Sequence, residues 1–360
     1  MEKKVKVGII GCGGIANGKH MPSLSKLSDV EMVAFCDIVE ERAQKAKEQY
    51  GTPDAKVYTD YQELLKDPEI EVIHVCTPNR SHAPISIDSL HAGKHVMCEK
   101  PMAKTAEDAR KMVQAAKETG KKLTIGYQHR HKPESIYLKS VIERGDLGEI
   151  YFAKAYAVRR RGTPNWGVFL NEYEQGGGPL IDIGTHSLDV TLYLMNNYEP
   201  KMVVGTTYKK VNNAECGNPW GGWDKDQHTM EDSAFGFIVM KNGATIILEA
   251  SWALNTSEPI PEGSTMLCGT DAGAQIKHGV TINKGEFNRL IEVKPDMASG
   301  GVAFYEGVSS NPAEVEARRW IDAVKNDTEV VVKPEQACVV SEILEAIYKS
   351  AKSGQPVYFD

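Results

Sequence analysis

The chain has 360 residues, 41% hydrophobic and 25% charged, which suits two globular domains with a sizeable core each. A net charge of −7 argues against a nucleic acid or an anionic membrane as a partner held by bulk electrostatics, and no apolar run is long enough to span a bilayer. The apolar stretch after Lys3-Lys4 stops at Ile10, too soon for a signal peptide, so the expectation is a cytoplasmic protein.

The first third alternates short β-branched runs with helical patterns. Strands are expected at Val5–Ile10, Val30–Cys36, Val72–Cys76, His95–Cys98 and Leu123–Tyr127. Helices are expected at Ala16–Leu27, Glu40–Tyr50, Ser81–Ala92 and Thr105–Thr119, with Gly93 and Gly120 as stops for the last two. That alternation implies right-handed crossovers and a buried, doubly wound parallel sheet. The pattern changes after Tyr127, and the division is drawn as 1–127 and 128–360. A helix over Pro133–Arg144 leads to a strand over Ile150–Val158, and Gly176-Gly177-Gly178-Pro179 precedes a helix over Leu180–Met195. Strands then follow at Lys201–Lys209, Ser233–Met240, Ala244–Ala253 and Thr265–Gly269, with Asn242-Gly243 as a hairpin turn. Helices over Ala313–Lys325 and Glu335–Ala351 close the chain. Consecutive strands without intervening helices predict an α+β domain with antiparallel pairing. The seven cysteines are odd in number and none are spaced C-x-x-C, which argues against a zinc site or a disulfide framework. Cys12, Cys36, Cys76 and Cys98 close apolar runs and read as small buried hydrophobes.

Gly11-Cys12-Gly13-Gly14-Ile15-Ala16 directly follows a strand and opens a helix, the context a dinucleotide-binding loop requires. Gly11 allows the tight turn, Gly13 admits the pyrophosphate, and Ala16 is small enough for helix-on-strand packing. Gly14 and Ile15 complete the loop, and the helix N-terminus offers free N–H groups to the phosphates. Asp37 ends the second strand, 21 residues after Ala16. A carboxylate there accepts from ribose hydroxyls and repels a 2′-phosphate, which favours NAD over NADP; a helix-capping role is compatible. Thr77, Asn79 and His82, in Cys76-Thr77-Pro78-Asn79-Arg80-Ser81-His82, follow a strand at the ligand edge and count as cofactor-lining. Ser81 also reads as a helix cap.

Glu99-Lys100-Pro101 leaves another buried strand at the same edge, which makes Lys100 a candidate acid/base or alcohol-binding group. In Asp182-Ile183-Gly184-Thr185-His186-Ser187-Leu188-Asp189, helical spacing puts Asp182, His186 and Asp189 on one face. An aspartate there can orient an imidazole that exchanges a proton with a hydroxyl. A capping aspartate, a core histidine and a divalent-metal site are the alternatives; the reading adopted assigns no metal.

G-C-G-G-I-A at 11–16, C-T-P-N at 76–79, E-K-P at 99–101 and G-G-G-P-L-I-D-I-G-T-H-S-L-D at 176–189 resemble the glucose–fructose oxidoreductase/inositol dehydrogenase family, Gfo/Idh/MocA. The resemblance covers essentially the whole chain. It implies a Rossmann domain followed by an α/β domain with a large, mostly antiparallel sheet. It also implies hydride transfer between NAD or NADP and a secondary alcohol of a sugar, cyclitol or glycoside. By that resemblance Lys100, Asp182 and His186 are the catalytic set, and Glu99 and Gln128 lie near the nicotinamide and its ribose. Gln128-His129-Arg130-His131 departs from the Asn-x-Arg form of relatives. His186 is read as the base, with the roles of Lys100 and His186 reversed as the alternative. Relatives are usually homo-oligomers that pack through the sheet, and the same is expected here.

Arg159-Arg160-Arg161-Gly162-Thr163-Pro164-Asn165-Trp166-Gly167 reads as the substrate mouth, with Arg160 and Trp166 as substrate contacts, although a solvated arginine run is the plainer reading. Asn212–His228, a polar stretch holding Trp220 and Trp223, reads as a lid or a subunit contact. The arginine–tryptophan loop resembles family members acting on free sugars or glycosides, including oxidation at C3 of a glucoside. An inositol 2-dehydrogenase, an NAD-dependent glycosidase that oxidises its substrate transiently, and a non-catalytic nucleotide-binding regulator remain the competing readings.

Overall fold

A computed structural model describes residues 3–211, 215–224, 226, 228–297 and 311–360. The chain divides into two compact units, Met1–His131 with Val308–Cys338, and Lys132–Gly307 with Val339–Asp360.

The first unit is built on a six-stranded parallel sheet of order β3-β2-β1-β4-β5-β6. Its strands are β1 (Val5–Ile10), β2 (Val30–Cys36), β3 (Lys56–Tyr58), β4 (Val72–Val75), β5 (His95–Cys98) and β6 (Leu123–Ile125). β4 and β6 are buried at every residue, as strands covered on both faces must be. Strand order reverses between β1 and β4, so the loops leaving these two strands flank the crevice where open α/β sheets bind ligands. Helices α1 (Ala16–His20 running into Met21–Leu24), α2 (Glu40–Tyr50), α3 (His82–His91) and α4 (Ala106–Thr119) cover the sheet. The first turn of α1 is a wide π turn, and the helix stops at Leu24 rather than the expected Leu27. Thr105 caps α4 by accepting from Asp108 N–H, and Gly120 ends it at φ +64°. Cys12, Cys36, Cys76 and Cys98 are buried as expected.

The helix Pro312–Lys325 also belongs to the first unit, which a division into two consecutive segments does not anticipate. Its Trp320 and Ile321 pack into the core formed by β1, β2 and α1. Arg130, wholly buried, ties the following segment down by donating to Val331 O (3.2 Å) and Gln336 Oε1 (2.6 Å).

The second unit is a nine-stranded sheet of order β14-β13-β12-β11-β7-β10-β9-β8-β15, antiparallel except where β10 joins β7. Its strands are β7 (Ile150–Val158), β8 (Pro200–Tyr208), β9 (Ser233–Met240), β10 (Thr245–Ser251), β11 (Ile260–Gly269), β12 (Ala272–Ile276), β13 (Val280–Glu286), β14 (Arg289–Val293) and β15 (Val357–Tyr358). Strands β12 to β15 have no counterpart in the sequence-based expectation. The β13–β14 hairpin turns through Phe287 (φ 49°) and Asn288 (φ 55°) without the usual glycine, and most of β14 is exposed. Helices α5 (Pro133–Glu143) and α6 (Thr185–Met195) belong to this unit. α6 is buried almost throughout, and two of its polar residues, Ser187 and Thr191, are tied to the sheet. Ser187 Oγ donates to Tyr156 O and accepts from Gly263 N–H, both at 3.0 Å, and Thr191 Oγ1 meets Thr265 Oγ1 at 2.8 Å.

Asp29, just ahead of β2, accepts from Arg318 (2.7 and 3.1 Å) and Lys325 (2.7 Å) of the helix Pro312–Lys325. Hydrogen bonds from Arg318, with Lys325 adding, hold its carboxyl well below the ordinary carboxylate value. A depressed value stabilises the fold fully above the unfolded pKa of about 4 and loses that contribution as pH falls further. Asp29→Asn is expected to cost about 1–2 kcal/mol at pH 7 in urea denaturation. The gap to wild type narrows below pH ~4.

Candidate active site

The end of β1 determines the shape of the glycine loop. Gly11 has φ +90°, and a Cβ there would lie 2.6 Å from Cys76 O at the end of β4. The loop therefore passes against β4 only because residue 11 has no side chain. Nothing lies within 4 Å of a Cβ built at Gly13 or Gly14, so that side of the loop is open. Asn17 Nδ2 holds the loop by donating to Cys12 O (2.8 Å) and Gly13 O (2.9 Å). Ile15 opens the helix with 42% of its surface exposed.

Asp37 is buried beside this loop. Its Oδ2 accepts from Cys12 N–H and its Oδ1 from Val39 N–H, both at 2.9 Å. Each carboxylate oxygen keeps a second lone pair for a ribose hydroxyl. Arg42 reaches only to 3.9 Å and is largely exposed. Thr77 Oγ1 is buried without a partner, and Asn79 opens a short turn over Asn79–Ser81 beside it. An open glycine face, a seated aspartate and an orphaned hydroxyl suit a dinucleotide. Ser81 makes no capping bond. Gln128 begins the turn Gln128–His131 and is half-buried.

Two residues expected against the cofactor are turned inward instead. His82 Nδ1 lies 2.7 Å from Pro101 O and its Nε2 lies 2.8 Å from Thr77 O. With both nitrogens taken, His82 braces the segments carrying Thr77 and Lys100 and has no atom left for a ligand. Burial pushes its pKa down, and the two carbonyl contacts oppose that shift.

Glu99 is the second. Its Oε1 takes Lys19 Nζ at 2.7 Å and His20 Nε2 at 2.8 Å, and its Oε2 accepts from Lys100 N–H at 3.1 Å. Lys19 Nζ also pairs with Glu316 Oε2 at 2.8 Å, and His20 Nδ1 meets His74 Nδ1 at 2.9 Å. In neutral rings the carboxylate requires the proton on His20 Nε2, so His20 Nδ1 accepts from His74. Burial raises the Glu99 carboxyl, but Lys19 and His20 outweigh it and leave the pKa well below the ordinary value. Burial pushes Glu316 up. A Cβ on Gly126 would lie 2.9 Å from Glu99 Oε1, so that glycine makes room for the cluster. Glu99 therefore ties the Lys100 backbone to a buried ion network. Glu99 Oε1 is taken by Lys19 and His20, so any contact with the nicotinamide ribose would fall to the remaining lone pair of Oε2.

In the second unit Asp182 lies in a π turn over Leu180–Gly184, and His186 lies in the first turn of α6. A π turn advances by more than four residues, so positions four apart still share a side. Asp182 Oδ2 accepts from Trp252 Nε1 at 2.9 Å, and Trp252 is wholly buried. His186 and Asp189 are buried as well. Glu231 fastens the glycine-rich turn before this helix. It accepts from Gly178 N–H (3.0 Å), Leu180 N–H (3.3 Å) and Tyr348 Oη (2.7 Å), at a helix N-terminus where negative charge is favoured. Among the described residues no cluster of His, Cys, Asp or Glu could hold a metal ion.

The arginine run splits three ways. Arg159 donates to Gly162 O and Glu262 and lies 5.7 Å from the Trp220 ring centroid. Arg161 bonds Asn255, and Arg160 is exposed. Trp166 is 47% exposed and meets Trp220 edge-on at 4.7 Å. Residues 212–214, 225 and 227 of the expected lid lie outside the described residues. The rest of it is fastened to Thr163–Asn165 through Asn218 and Asn165. Trp252, Glu231, His228, Lys19 and Tyr348 were not singled out from sequence. Each meets its partner from a distant segment, so no local motif marks it.

Residues 5–127 match the model of an oxidoreductase family with an NAD-binding Rossmann fold, and residues 139–359 match the C-terminal alpha/beta domain of the same family. The D-glucoside 3-dehydrogenase of Escherichia coli K12 is 37% identical over 358 residues, covering 98% of this chain and 97% of that protein. The inositol 2-dehydrogenase of Salmonella typhimurium is 34% identical over 193 residues, covering 53% of this chain and 55% of that protein. A levoglucosan dehydrogenase solved with NADH and levoglucosan shares the fold at a TM-score of 0.83 and 21% identity, covering 99% of each chain.

The two loop glycines are expected to respond differently to alanine. Gly11→Ala places a Cβ on Cys76 O at positive φ and is expected to lower the melting temperature by several degrees. Gly13→Ala should melt near wild type, while NAD affinity by titration calorimetry falls about tenfold or more because the Cβ fills the open face.

Proposed function

The chain belongs to the Gfo/Idh/MocA oxidoreductase family, and on that premise we propose that it oxidises a secondary alcohol of a sugar or glycoside, with C3 of a glucoside as the favoured position. NAD is the cofactor. The observation that carries the substrate reading is the end-to-end similarity to D-glucoside 3-dehydrogenase in a chain that keeps Lys100, Asp182 and His186. The match to inositol 2-dehydrogenase spans about half of each chain, which favours the glucoside over the cyclitol.

The loop Gly11–Ile15 would hold the pyrophosphate on backbone N–H groups, Asp37 the adenosine ribose, and Thr77 and Asn79 the adjoining part of the cofactor. Gln128 is assigned to the nicotinamide side. NAD bound there would supply the hydride acceptor for the carbinol carbon. His186 takes the hydroxyl proton, and its burial keeps water from competing for it. Asp182 fixes the imidazole or binds a neighbouring hydroxyl, and Trp252 holds its carboxylate in place. Lys100 donates to the reacting oxygen as negative charge develops there. Its backbone is anchored through Glu99, so its side chain starts from a set direction. Exchanging the acid and base roles of Lys100 and His186 is the alternative. Trp166 and Arg160 are assigned to substrate contacts.

A homo-oligomer formed through the nine-stranded sheet is part of the proposal. Phe237 stands 44% exposed on β9 opposite Ile247 of β10, on a face with half-buried Phe152. Seven free cysteines support a cytoplasmic setting, and among the described residues no helix is long and apolar enough to cross a membrane.

Glucosides, free sugars and inositols are to be incubated with NAD or NADP, with the nicotinamide absorbance followed and products identified by NMR. A 3-keto glucoside with stoichiometric NADH is the expected result. Glycoside cleavage without net NADH would replace it with the glycosidase reading. Lys100→Ala and His186→Ala are each expected to slow hydride transfer by about 10²–10⁴ in single turnover; near-wild-type rates in both would remove the assigned mechanism.

A further inference from the structure

Two indoles stand half-exposed at one corner of the second unit. Trp166 (47% exposed) and Trp220 (43%) meet edge to face, with ring planes 80° apart. They are held rigidly. Asn165 Nδ2 donates to Trp220 O (2.5 Å) and Gly222 O (2.9 Å). Asn218 is bonded to both backbone groups of Thr163, at 2.9 and 3.1 Å. Arg159, itself tied to Glu262, lies over the Trp220 ring. A rigid apolar corner in water is unfavourable unless something covers it.

The corner is linked to the candidate catalytic residues through packed side chains. Trp166 contacts Phe169 at 5.6 Å, and Phe169 packs on the cluster holding Ile183 and Trp252. Trp252 donates to Asp182. A second aromatic string reaches the same tryptophan, since His228 lies 5.8 Å from Trp223 and 6.5 Å from Trp252. His228 is only 5% exposed and its Nε2 has no partner. Burial, with Lys209 nearby, lowers its pKa and favours the neutral ring, and its buried Nε2 has an unmet hydrogen bond. Thr163 Oγ1, wholly buried beside Asn218, also lacks a partner. Buried polar atoms without partners call for a ligand or water.

We infer that Trp166 and Trp220 form an aglycone subsite that stacks a ring-shaped group, with His228 Nε2 hydrogen-bonding a hydroxyl of the same glycoside nearer Asp182. The inference rests on the glycoside reading above and deepens it: the enzyme is built for a glycoside carrying a second ring rather than for a free monosaccharide. Indoles suit the apolar face of an aryl or pyranose ring, and nearly half of each of these two is exposed. Arg159 behind Trp220 stiffens the platform and polarises it.

The test compares phenyl glucoside with methyl glucoside on the NAD-loaded enzyme. Trp220→Leu is expected to lower the phenyl-to-methyl ratio of kcat/KM about tenfold, and Trp220→Phe should recover most of it. Quenching of tryptophan fluorescence by phenyl glucoside supplies a readout without turnover. A ratio within twofold of wild type in Trp220→Leu, with both glucosides oxidised, overturns the subsite and leaves the dehydrogenase reading standing. Loss of subunit assembly in Trp220→Leu on size exclusion also overturns it, since a second copy would then cover the indoles. If no glycoside is oxidised but phenyl glucoside quenches wild type and not Trp220→Leu, the subsite stands and the dehydrogenase reading falls. No oxidation and no quenching overturns both.

Discussion

Glu99 ends a strand that is covered on both faces, so its charge has no water to turn to. An ionised carboxylate in that position is tolerated only if the protein supplies donors for both oxygens. Lys19 and His20 supply two, and the peptide N–H of Lys100 supplies a third. Meeting that demand explains several features of the first unit. The wide turn over Ala16–His20 brings Lys19 and His20 in turn to the inner side of the helix, where a regular surface helix would expose charge. His74 interrupts an otherwise apolar central strand because His20 needs a second partner. Glu316 brings the helix Pro312–Lys325 into the same cluster. Lys100, the group assigned to the reacting oxygen, begins its side chain from a peptide fixed by this network.

The second unit meets the same demand with different donors. Asp182 takes the indole N–H of Trp252, and Glu231 takes the N–H groups of the glycine-rich turn and the hydroxyl of Tyr348. A carboxylate held by a buried indole cannot rotate freely, which is the condition for stabilising charge without reorganisation. The helix carrying His186 is pinned through Ser187 and Thr191 to β7 and β11. The candidate acid/base groups of this unit therefore sit on a helix pinned to the sheet rather than on a loop.

The proposed selectivity lies elsewhere. The Arg159–Trp166 loop and the segment around Trp220 present two half-exposed indoles whose neighbours are hydrogen-bonded. On the proposed reading, a change in that loop would alter which glycoside fits while leaving the buried carboxylates untouched.

Local motifs were legible in the sequence because their chemistry is local. A strand, Gly11–Ala16 and a helix are contiguous, and Asp37 ends the next strand, so one short stretch determines a dinucleotide loop. Lys100, Asp182 and His186 stand out as candidates for the same reason, each lying in a compact motif. The hairpin at Asn242-Gly243 forms where its turn chemistry says, whereas the one at Phe287-Asn288 has no such marker and β14 is mostly exposed. What only the tertiary structure decided is which way side chains face and which distant residue meets them. His82 and Glu99 stand at the ligand edge by position, yet the buried acceptors and donors around them turn both inward. Trp252 lies 70 positions from Asp182, and Glu316 lies far along the chain from Lys19. Periodicity records burial within one element and is blind to pairing between elements. The partners that hold the candidate catalytic groups in place became visible only when the chain was folded.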